Sequence, residues 1–576
     1  MPEPTKLAES GTPHVNIHWG VKIPLRDGIR LNATVYLPAV RMDPSPAIFT
    51  LTPYIGQTYH DTGMYFAAHG CPFLTIDVRG RGNSDGVFRP FIQEARDGHD
   101  VVEWLATQSY CNGRVAMWGG SYAGLDQWVT AKEFPPHLAT IVPVASPYMG
   151  VDFPMRNNVS YPYLMQWLML VAGRTSQDRM FWNNERLWGG HFRRWFESGA
   201  PFKGLDTFLG NPSPSFQEWI SHPTLDAYWE SHNPTAEQYS RLSLPILTIT
   251  GIYDGDQPGA LMHYREHLRN ASLQARARHY LVIGPWDHAG TRAPQAEFVG
   301  LKVGPASMVD LPKLHLEWYA WTMQNGPKPA FLKKHVAYYV TGAETWRYAD
   351  SLEAITTRSE PLFLHSTTNP TDVFKSGSLS AERSGNSGPD HYLYDPRDVS
   401  HAALESTIDP ENRADQRMVH AAVGKHLIYH SAPFVEDFDV SGFFKLSVWL
   451  SIDTPDTDLR AAVYEIGMDG RSVLLSADWI RARYRESLRN ESLVHTTEPM
   501  RYDFERFTFS AHRITKGQRL RLVIGPLDSI YHQRNYNSGG VISEESMDDA
   551  RTVTVKLFHD ESHPSALYVP IGCTEA

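Results

Sequence analysis

The segment RVAMWGGSYAGLDQW, which ends at Trp128, constrains the fold of this chain more than any other segment. Its first residues alternate along the chain as in a β-strand, and two glycines and Ser121 then lead into a helix-like stretch. A nucleophile elbow has this form, because a strand and a helix meet at a strained turn that leaves room only for small neighbours. The usual pattern is G-x-S-x-G, and here Ala123 stands in the last position. Ser121 is therefore a candidate nucleophile, although an ordinary strand-to-helix turn would look the same.

Two later strand-like segments each precede a residue that could complete a catalytic triad. PILTITG is followed by Asp254, and HYLVIGP is followed by His288. A serine nucleophile needs a base, the base needs a carboxylate to orient it, and α/β-hydrolases place them in the chain order Ser, Asp or Glu, His. The sequence therefore predicts a triad of Ser121, His288 and Asp254, with Asp256 and Asp287 as local rivals for the carboxylate.

The apolar pattern divides the chain into regions of different character. Short apolar strands alternate with helices at the beginning and again in the middle of the chain, which predicts a parallel sheet covered on both faces. A tryptophan-rich, helix-like region interrupts this pattern, and the C-terminal part alternates with period two between turn signals, as in a β-sandwich. The predicted division is a first α/β part at 1–146, a helical insertion at 147–240, a second α/β part at 241–354 and an all-β domain at 355–576.

Composition excludes several classes of partner. A chain of 576 residues is too long for one core, so two to four domains are expected. The formal net charge of −11 argues against nucleic acid or an anionic membrane, because both need a basic face. Three cysteines make no disulfide framework, and no secretory signal or membrane-spanning run is visible. We therefore expect a cytoplasmic protein that acts on a small molecule, and leave a homo-oligomer open.

Two motifs resemble a metal site and a phosphate-binding loop, and we interpret both as structural. HYREH, from His263 to His267, matches a zinc signature, but it falls on an expected surface helix whose mixed face would be solvated. A catalytic zinc needs three protein ligands, and no second cluster is apparent. DVRGRGNSDG lacks the G-K-[ST] ending of a phosphate loop, so we interpret it as a turn with buried Arg/Asp pairing. We expect no metal and no cofactor.

The motifs GGSYAG, GIYDGD, GPWDH and DVRGRGNSDG together resemble the cocaine esterase / X-Pro dipeptidyl-peptidase family of serine hydrolases. The C-terminal segments VSGFFKLSVWLSIDTPDTDL, GRSVLLSADWIRARYRE and HPSALYVP resemble the β-domain of the same family, so the likeness covers nearly the whole chain. The resemblance implies an α/β-hydrolase domain with an inserted helical cap and a C-terminal jelly roll.

The resemblance also implies roles for further residues. The family forms its oxyanion hole from a tyrosine hydroxyl and the N–H after the serine, which here would be Tyr54 in LTPYIGQ and the N–H of Tyr122. Members that act on α-amino acid esters bind the ammonium with three acids. Asp152 and Asp256 match two of these, and Gln257 replaces the third.

The predicted function is acyl hydrolysis through an acyl-enzyme, most simply by a carboxylesterase. The alternatives are an α-amino acid ester hydrolase or X-Pro-type peptidase, an acyltransferase with the same triad, and a non-enzymatic binding protein that has kept the fold. The tryptophans of the insertion, Trp167 among them, indicate an apolar or aromatic substrate group, or else only the core of the insertion itself.

Overall fold

The computed structural model of the protein describes residues 15–39, 43–175, 184–383, 385 and 387–573. The largest unit of its first half is one mixed sheet of ten strands, whose central strands are apolar runs buried along nearly all their length, while the edge strands are partly exposed. These strands are β1 (Val15–Pro24), β2 (Arg30–Pro38), β3 (Ser45–Thr52), β4 (Phe73–Asp77), β5 (Cys111–Gly120), β6 (Leu138–Val144), β7 (Ile246–Gly251), β8 (His279–Gly284), β9 (Val336–Val340) and β10 (Thr345–Ala349).

The sheet is parallel in its centre and antiparallel at its edges. The strand order is β1-β2-β4-β3-β5-β6-β7-β8-β9-β10. The seven central strands of this order, from β4 to β9 and including β3, run parallel to one another. Strands β1, β2 and β10 pair antiparallel with their neighbours. Because parallel strands end at the same edge, the loops after β3, β5, β7 and β8 meet there, and this edge is where open α/β sheets bind ligands.

The described residues form fourteen α-helices, which cover the sheet and build the insertion. Apolar residues of α2 and α3 pack on one face of the sheet, while α1, α10 and α12 pack on the other. Helices α4 to α9 lie in the segment between β6 and β7. The helices are α1 (His60–Ala68), α2 (Glu94–Ala106), α3 (Tyr122–Ala131), α4 (Tyr163–Leu170), α5 (Glu185–Ser198), α6 (Leu205–Phe208), α7 (Pro214–Ile220), α8 (Ala227–His232), α9 (Ala236–Arg241), α10 (Gln257–Asn270), α11 (Leu273–Arg276), α12 (Leu311–Gln324), α13 (Ala402–Glu405) and α14 (Arg417–Ala421).

The C-terminal part is an all-β domain with its own apolar core. Its strands follow the order β13-β22-β16-β23-β11-β12-β14-β21-β17-β18, with β15 paired to β20 and β23, and β19 paired to β16. The strands are β11 (Thr356–His365), β12 (Gly377–Ser380), β13 (Asp390–Tyr394), β14 (Leu427–Ser431), β15 (Phe438–Gly442), β16 (Lys445–Ile452), β17 (Asp458–Ile466), β18 (Ser472–Arg481), β19 (Met500–Phe504), β20 (Ser510–Ile514), β21 (Arg519–Pro526), β22 (Val553–Phe558) and β23 (Ala566–Gly572).

The glycine-rich turn after β4 ties the insertion to the sheet. Arg79 pairs with Asp97 at 2.6 Å, as the predicted Arg/Asp pairing requires. Arg81 is fully buried, but it donates instead to the main-chain carbonyls of Pro53 at 2.8 Å and Ala172 at 3.0 Å. A guanidinium that binds carbonyl oxygens on both sides thus fixes the start of the insertion against the loop after β3.

The predicted fold class is confirmed by the large α/β sheet and the all-β C-terminal domain. Two features of the elements are not indicated by the sequence pattern. These are the antiparallel strand β10, and the strands β11 and β12 in the Ser/Gly-rich stretch before residue 390, whose composition is typical of a connection. The domain boundaries stay predictions, and the N-terminal segment that shows no secretory signal falls largely outside the described residues. In the part of the chain that the structure describes, no helix is both long and apolar enough to cross a membrane.

Candidate active site

Ser121 lies on a strained corner between β5 and α3. Its backbone has φ 62° and ψ −125°, in a region that costs a non-glycine residue free energy and is typical of a nucleophile elbow. The corner is crowded, because a Cβ at Gly119 would lie 2.6 Å from Cβ of Ala123. The main-chain N–H of Ser121 donates to the carbonyl of Val144 at 2.9 Å, which holds the corner against β6. Small residues around the serine are therefore a steric requirement of this turn.

The loops after β7 and β8 bring the predicted base and carboxylate together. Nδ1 of His288 lies 2.8 Å from Oδ1 of Asp254. Asp254 is buried, and its two oxygens also accept hydrogen bonds from Thr250 Oγ1 and from the N–H of Asp256, each at 3.0 Å. The rival Asp287 accepts the N–H of Gly290 instead. Asp254 is thus the carboxylate that orients the imidazole, and it leaves Nε2 of His288 as the nitrogen able to receive a proton from serine.

The electrostatics of the pair favour an imidazole that acts as a base near neutral pH. Burial lowers the pKa of His288, but the charge and hydrogen bond of Asp254 and the charge of Asp256 outweigh it, so the pKa is raised above its ordinary value. Burial likewise raises the pKa of Asp254, and the charge and hydrogen bond of His288 bring it below its ordinary value. Asp254 therefore stays ionised while His288 exchanges a proton.

Ser121 and His288 share no hydrogen bond in the part of the chain described here. Catalytic hydrogen bonds are often long before substrate binds, so this geometry does not argue against the pair. Their loops are nevertheless in contact, because Arg292, four residues after His288, reaches the residue before the nucleophile. Its Nη1 lies 2.5 Å from the position that a Cβ would take at Gly120.

Tyr54, in the loop after β3, lies where an oxyanion donor is expected. Its hydroxyl accepts a hydrogen bond from Nε1 of Trp167 at 3.0 Å. Burial raises the pKa of Tyr54, while interactions with the side chains of Trp167 and Ser121 oppose this only in part, so the phenol keeps the proton that it would donate. The N–H of Tyr122 is the first of α3 and has no intrahelical acceptor. Both donors proposed from the sequence thus lie beside Ser121.

Trp167 of the insertion packs against aromatic rings near Ser121. Its ring stacks on those of Phe91, Tyr122 and Trp219, with centroid distances of 5.5, 6.0 and 6.1 Å. Only a small part of its side chain is accessible. The predicted role in substrate binding stays a prediction, while the contact that the structure does show is with the Tyr54 hydroxyl.

Two buried acids beneath the elbow were missed by the sequence analysis. The hydroxyl of Tyr122 donates to Oε1 of Glu94 and accepts the N–H of Phe91 at 3.0 Å. Burial raises the pKa of Glu94 to about 7. Asp126, one helical turn after Tyr122, is fully buried, and neither of its carboxylate oxygens has a hydrogen-bond partner among the described residues. The sequence of α2 has the apolar spacing of an ordinary amphipathic helix, and nothing in that pattern marks Glu94.

Asp152 is bound mainly to main-chain groups. Its Oδ1 accepts the N–H of Tyr148 at 2.8 Å, and its Oδ2 accepts the N–H of Gly259, the third residue of α10, at 2.5 Å. A carboxylate at this place complements the positive end of the helix dipole. Asp152 therefore holds the start of α10, and its predicted contact with a substrate ammonium stays a prediction. Asp152 does not begin a helix of the insertion, because the next helix, α4, starts at Tyr163.

Gln257, which stands where the family has a third acid, turns away from the site. Its Nε2 donates to the carbonyls of Gly251 at 3.1 Å, Ile252 at 3.0 Å and Phe509 at 3.1 Å. Its Oε1 accepts the N–H of Phe509 at 2.6 Å. Because Phe509 belongs to the all-β domain, this one buried amide joins the loop that carries Asp254 to the C-terminal part of the chain. Nothing in the sequence pattern indicates this contact.

Asp256 is the predicted acid that does face the catalytic histidine. Its Oδ2 lies 3.7 Å from Nδ1 of His288. Burial, joined by the charge of Asp254, raises its pKa to about 7. Asp254, Asp256 and His288 also offer ligand atoms within 4.8 Å of one another, a cluster that could hold a metal ion. Nδ1 of His288 is already bound to Asp254, so we keep the expectation of a metal-free site as a prediction.

The histidines of HYREH are not on a solvated face, and that expectation is wrong. His263 and His267 are fully buried on α10. His263 bonds to the Tyr239 hydroxyl at 2.6 Å and to the carbonyl of Pro147 at 3.0 Å. His267 lies with its Nδ1 3.0 Å from Nδ1 of His279. All four nitrogens of the motif are therefore used in the core, because α10 is enclosed by the sheet and the insertion.

Three segments that are distant in the chain contribute ionisable groups around the triad. Tyr163 of α4 is 40% exposed, yet surrounding protein raises its pKa, with Tyr54, Asp256 and Glu411 as the charged or ionisable neighbours that contribute. Burial and the charge of Asp287 raise the pKa of Glu411, while Arg413 and His288 oppose this. Charged groups of the insertion, the sheet loops and the segment before α14 therefore act on one another around the triad.

Comparisons with known proteins agree with this geometry. Residues 27–290 match the model of the X-Pro dipeptidyl-peptidase (S15 family), and residues 331–562 match that of the X-Pro dipeptidyl-peptidase C-terminal non-catalytic domain. Cocaine esterase of Rhodococcus sp. (strain MB1 Bresler) is 25% identical over 96% of this chain and 98% of its own length. The structure of an α-amino acid ester hydrolase superposes with a TM-score of 0.83 at 20% identity, covering 99% of both chains. An aminopeptidase from a marine sediment Thaumarchaeota archaeon reaches 0.79 at 20% identity, also over 99% of both chains. With both models matched in order along nearly its whole length, the chain belongs to the cocaine esterase / X-Pro dipeptidyl-peptidase family of serine hydrolases.

Proposed function

We propose that the chain is a carboxylesterase-type serine hydrolase in which Ser121, His288 and Asp254 form the triad. Ser121 Oγ attacks the carbonyl carbon of the ester, and Nε2 of His288 takes its proton. The Tyr54 hydroxyl and the Tyr122 N–H donate to the oxyanion. His288 then protonates the leaving alcohol, and water repeats the sequence to release the acid. The observation that carries this proposal is the 2.8 Å bond between His288 and Asp254 in the loop beside the strained Ser121.

Nucleophile identity can be tested by stoichiometric labelling with a fluorophosphonate and mapping of the modified peptide. We expect one label per chain on Ser121, and none in Ser121→Ala. Loss of the nucleophile should lower kcat for a p-nitrophenyl ester on the order of 10⁶-fold. Ser146→Ala is the matched control, because Ser146 is buried beside the same elbow but bonds only to the carbonyl of Pro147. Residual activity of Ser121→Ala within tenfold of wild type would contradict the assignment.

Recognition of a cationic acyl group has less support than ester hydrolysis itself. Of the three positions that would hold an ammonium, Asp152 is bound to main-chain N–H groups and Gln257 to the C-terminal domain. Asp256 is the one whose carboxylate faces the cleft. An acyltransferase would use the same triad, and product analysis with added alcohol or amine acceptors separates it from a hydrolase.

We also propose a cytoplasmic location. Cys71, Cys111 and Cys573 are all free thiols, as a reducing compartment permits. Assay of esterase activity in separated cell fractions tests this, and activity confined to a secreted fraction would contradict it.

A further inference from the structure

Arg292 brings a positive charge to the side of the nucleophile. It lies on the loop that carries His288, and its side chain runs along Gly120, with Cδ and Nη1 at 3.1 and 2.5 Å from the position that a Cβ would occupy there. Only a glycine leaves room for the guanidinium at this point. The charge of Arg292 acts on the pKa of His288, Asp256 and Tyr54, so the guanidinium lies within electrostatic range of the base and of the oxyanion donor.

This guanidinium has no anionic partner among the described residues. No carboxylate there lies within 4.0 Å of it, and no side-chain hydrogen bond leaves it. Its Nη1 is sealed from solvent without an acceptor. Other arginines of the chain are paired, such as Arg481 with Asp458 at 2.9 Å and Arg483 with Asp456 at 2.7 Å. Buried Arg534 also lacks an ion-pair partner among the described residues, but its guanidinium lies over the Phe196 ring, with Cζ 3.3 Å from the ring centroid. Charges inside a protein are normally compensated, so an uncompensated Arg292 beside Ser121 needs a reason.

The carboxylate of Asp256 does not form an ion pair with Arg292. The Asp256 carboxylate lies against His288, with its Oδ2 3.7 Å from Nδ1, rather than against the guanidinium. Burial raises the pKa of Asp256 to about 7, so part of the population is neutral at physiological pH. The site therefore contains the permanent positive charge of Arg292 beside the nucleophile, and the carboxyl group of Asp256, which is ionised in only part of the population.

We propose that Arg292 binds a carboxylate of the substrate, so that the preferred esters carry a negative charge close to the scissile carbonyl. This inference rests on the proposed function. A guanidinium presents a planar set of N–H donors that matches the two oxygens of a carboxylate. Binding would supply acceptors to Nε and Nη2, which are not sealed from solvent as Nη1 is, and would place the ester carbonyl between Ser121 and the oxyanion donors.

Paired substrates test the inference, because the two members differ in charge and little in size. For the acyl side, p-nitrophenyl hydrogen glutarate is compared with p-nitrophenyl valerate. For the alcohol side, 3-acetoxybenzoate is compared with phenyl acetate. The ratio of kcat/KM for the charged and neutral members is measured in wild type, Arg292→Gln, Arg292→Lys and Arg413→Gln. The last variant removes a second arginine near the site, whose guanidinium lies 5.9 Å from the centre of the Tyr253 ring and which interacts electrostatically with Glu411.

Wild type should favour the charged member of at least one pair. Arg292→Gln should lower kcat/KM for that member by roughly 30-fold or more, the loss expected for one charge-paired contact, and change the neutral member little. Arg292→Lys should keep part of the preference, and Arg413→Gln should keep all of it. If wild type cleaves the neutral esters but the ratios are the same in every variant, the inference is overturned and the proposed function stands. If wild type cleaves none of the four esters, both are overturned.

Discussion

The Tyr54 hydroxyl accepts a hydrogen bond from the indole N–H of Trp167, so the proposed oxyanion hole depends on the insertion. We expect Tyr54→Phe to lower kcat by about 10²–10³-fold with little change in KM, because the donor acts on the tetrahedral state. Trp167→Phe keeps an aromatic ring but removes the N–H and part of the stacking surface, and should lower kcat less, by roughly tenfold, the worth of one hydrogen bond of about 1.4 kcal/mol. Steady-state kinetics on a neutral p-nitrophenyl ester give both values. A change in KM alone for Tyr54→Phe would make it a packing residue.

The raised pKa of His288 predicts the shape of the pH–rate profile. The base must be neutral to accept the serine proton, so kcat/KM should fall as pH decreases through a pKa above the ordinary 6.5 of histidine. Asp256→Asn removes one of the charges that raise this pKa, and its acidic limb should move to lower pH. Asp287→Asn is the control, since Asp287 is next to His288 in the chain but bonds to Gly290. If the acidic limb of the pH–rate profile has the same apparent pKa in wild type and in Asp256→Asn, Asp256 has no electrostatic effect on His288.

At the residue level, sequence reasoning succeeds where chemistry imposes a spacing. The elbow needs small residues around Ser121, and the triad order follows the strands, so both could be read from the chain. It fails for Glu94, Gln257 and Arg292, because their roles depend on which distant main-chain groups or empty spaces the fold places next to them.

Among the elements, helix α10 is the junction on which the site depends. Its first turn receives Asp152 from the insertion side, and Gln257 connects it to the all-β domain. The Asp254 loop precedes it directly. Small shifts of this helix would therefore move the carboxylate that orients His288.

Gln257→Met tests this junction, because methionine keeps the volume but offers no hydrogen bonds. The N–H of Phe509 and up to three carbonyls would lose their partner, at about 1–3 kcal/mol for each group left unsatisfied. We expect a lower thermal midpoint together with a lower kcat and a shifted acidic limb of the pH–rate profile. Gln274→Met on α11 is exposed and should change neither. A lower midpoint with unchanged kinetics would mean that Gln257 supports only the fold.

Helix α10 also shows why an element can be predicted while its environment is not. A helix over HYREH was expected and is present, but its histidines are buried because insertion helix α9 covers the side that would otherwise face solvent. Strand β10 was missed since its five residues, TWRYA, are too few to show a clear alternation.

For the whole molecule, the sequence indicates the layers better than the contacts between them. Period-two and period-3.6 patterns report which face of each element is apolar, and this is enough to order the α/β part, the insertion and the all-β part. Which residues meet across those parts, such as Gln257 with Phe509, depends on the relative placement of complete domains.

The buried histidines around Trp128 should make the folded state sensitive to acid. Burial lowers the pKa of His263 to about 3 and that of His267 to about 4. Unfolded histidine binds a proton near pH 6.5, so the stability that these neutral rings contribute is complete above pH 6.5 and is lost as pH falls from there toward 4. Buried acids such as Glu94, with its pKa raised to about 7, act in the opposite direction, so single variants are needed to isolate the effect.

Urea unfolding midpoints at pH 7 and pH 5 measure this. The difference between the two midpoints should be smaller in His263→Gln than in wild type, because one proton-binding site of the unfolded chain is removed. His391→Gln, at an exposed position, should leave the difference unchanged. If His263→Gln and wild type respond equally to pH, the ring is not held neutral by burial.

The bond between Gln257 and Phe509 has a consequence for synthesis of the protein. The two residues are 252 positions apart, so a ribosome adding about 5–20 residues per second leaves roughly ten to fifty seconds between them. During that interval the nascent chain already contains Ser121 and Asp254, but the loop that orients the base has no partner for its amide. Full esterase activity should therefore arise only when the C-terminal domain has been translated and has docked, which keeps an unfinished chain from hydrolysing esters while it is still bound to the ribosome.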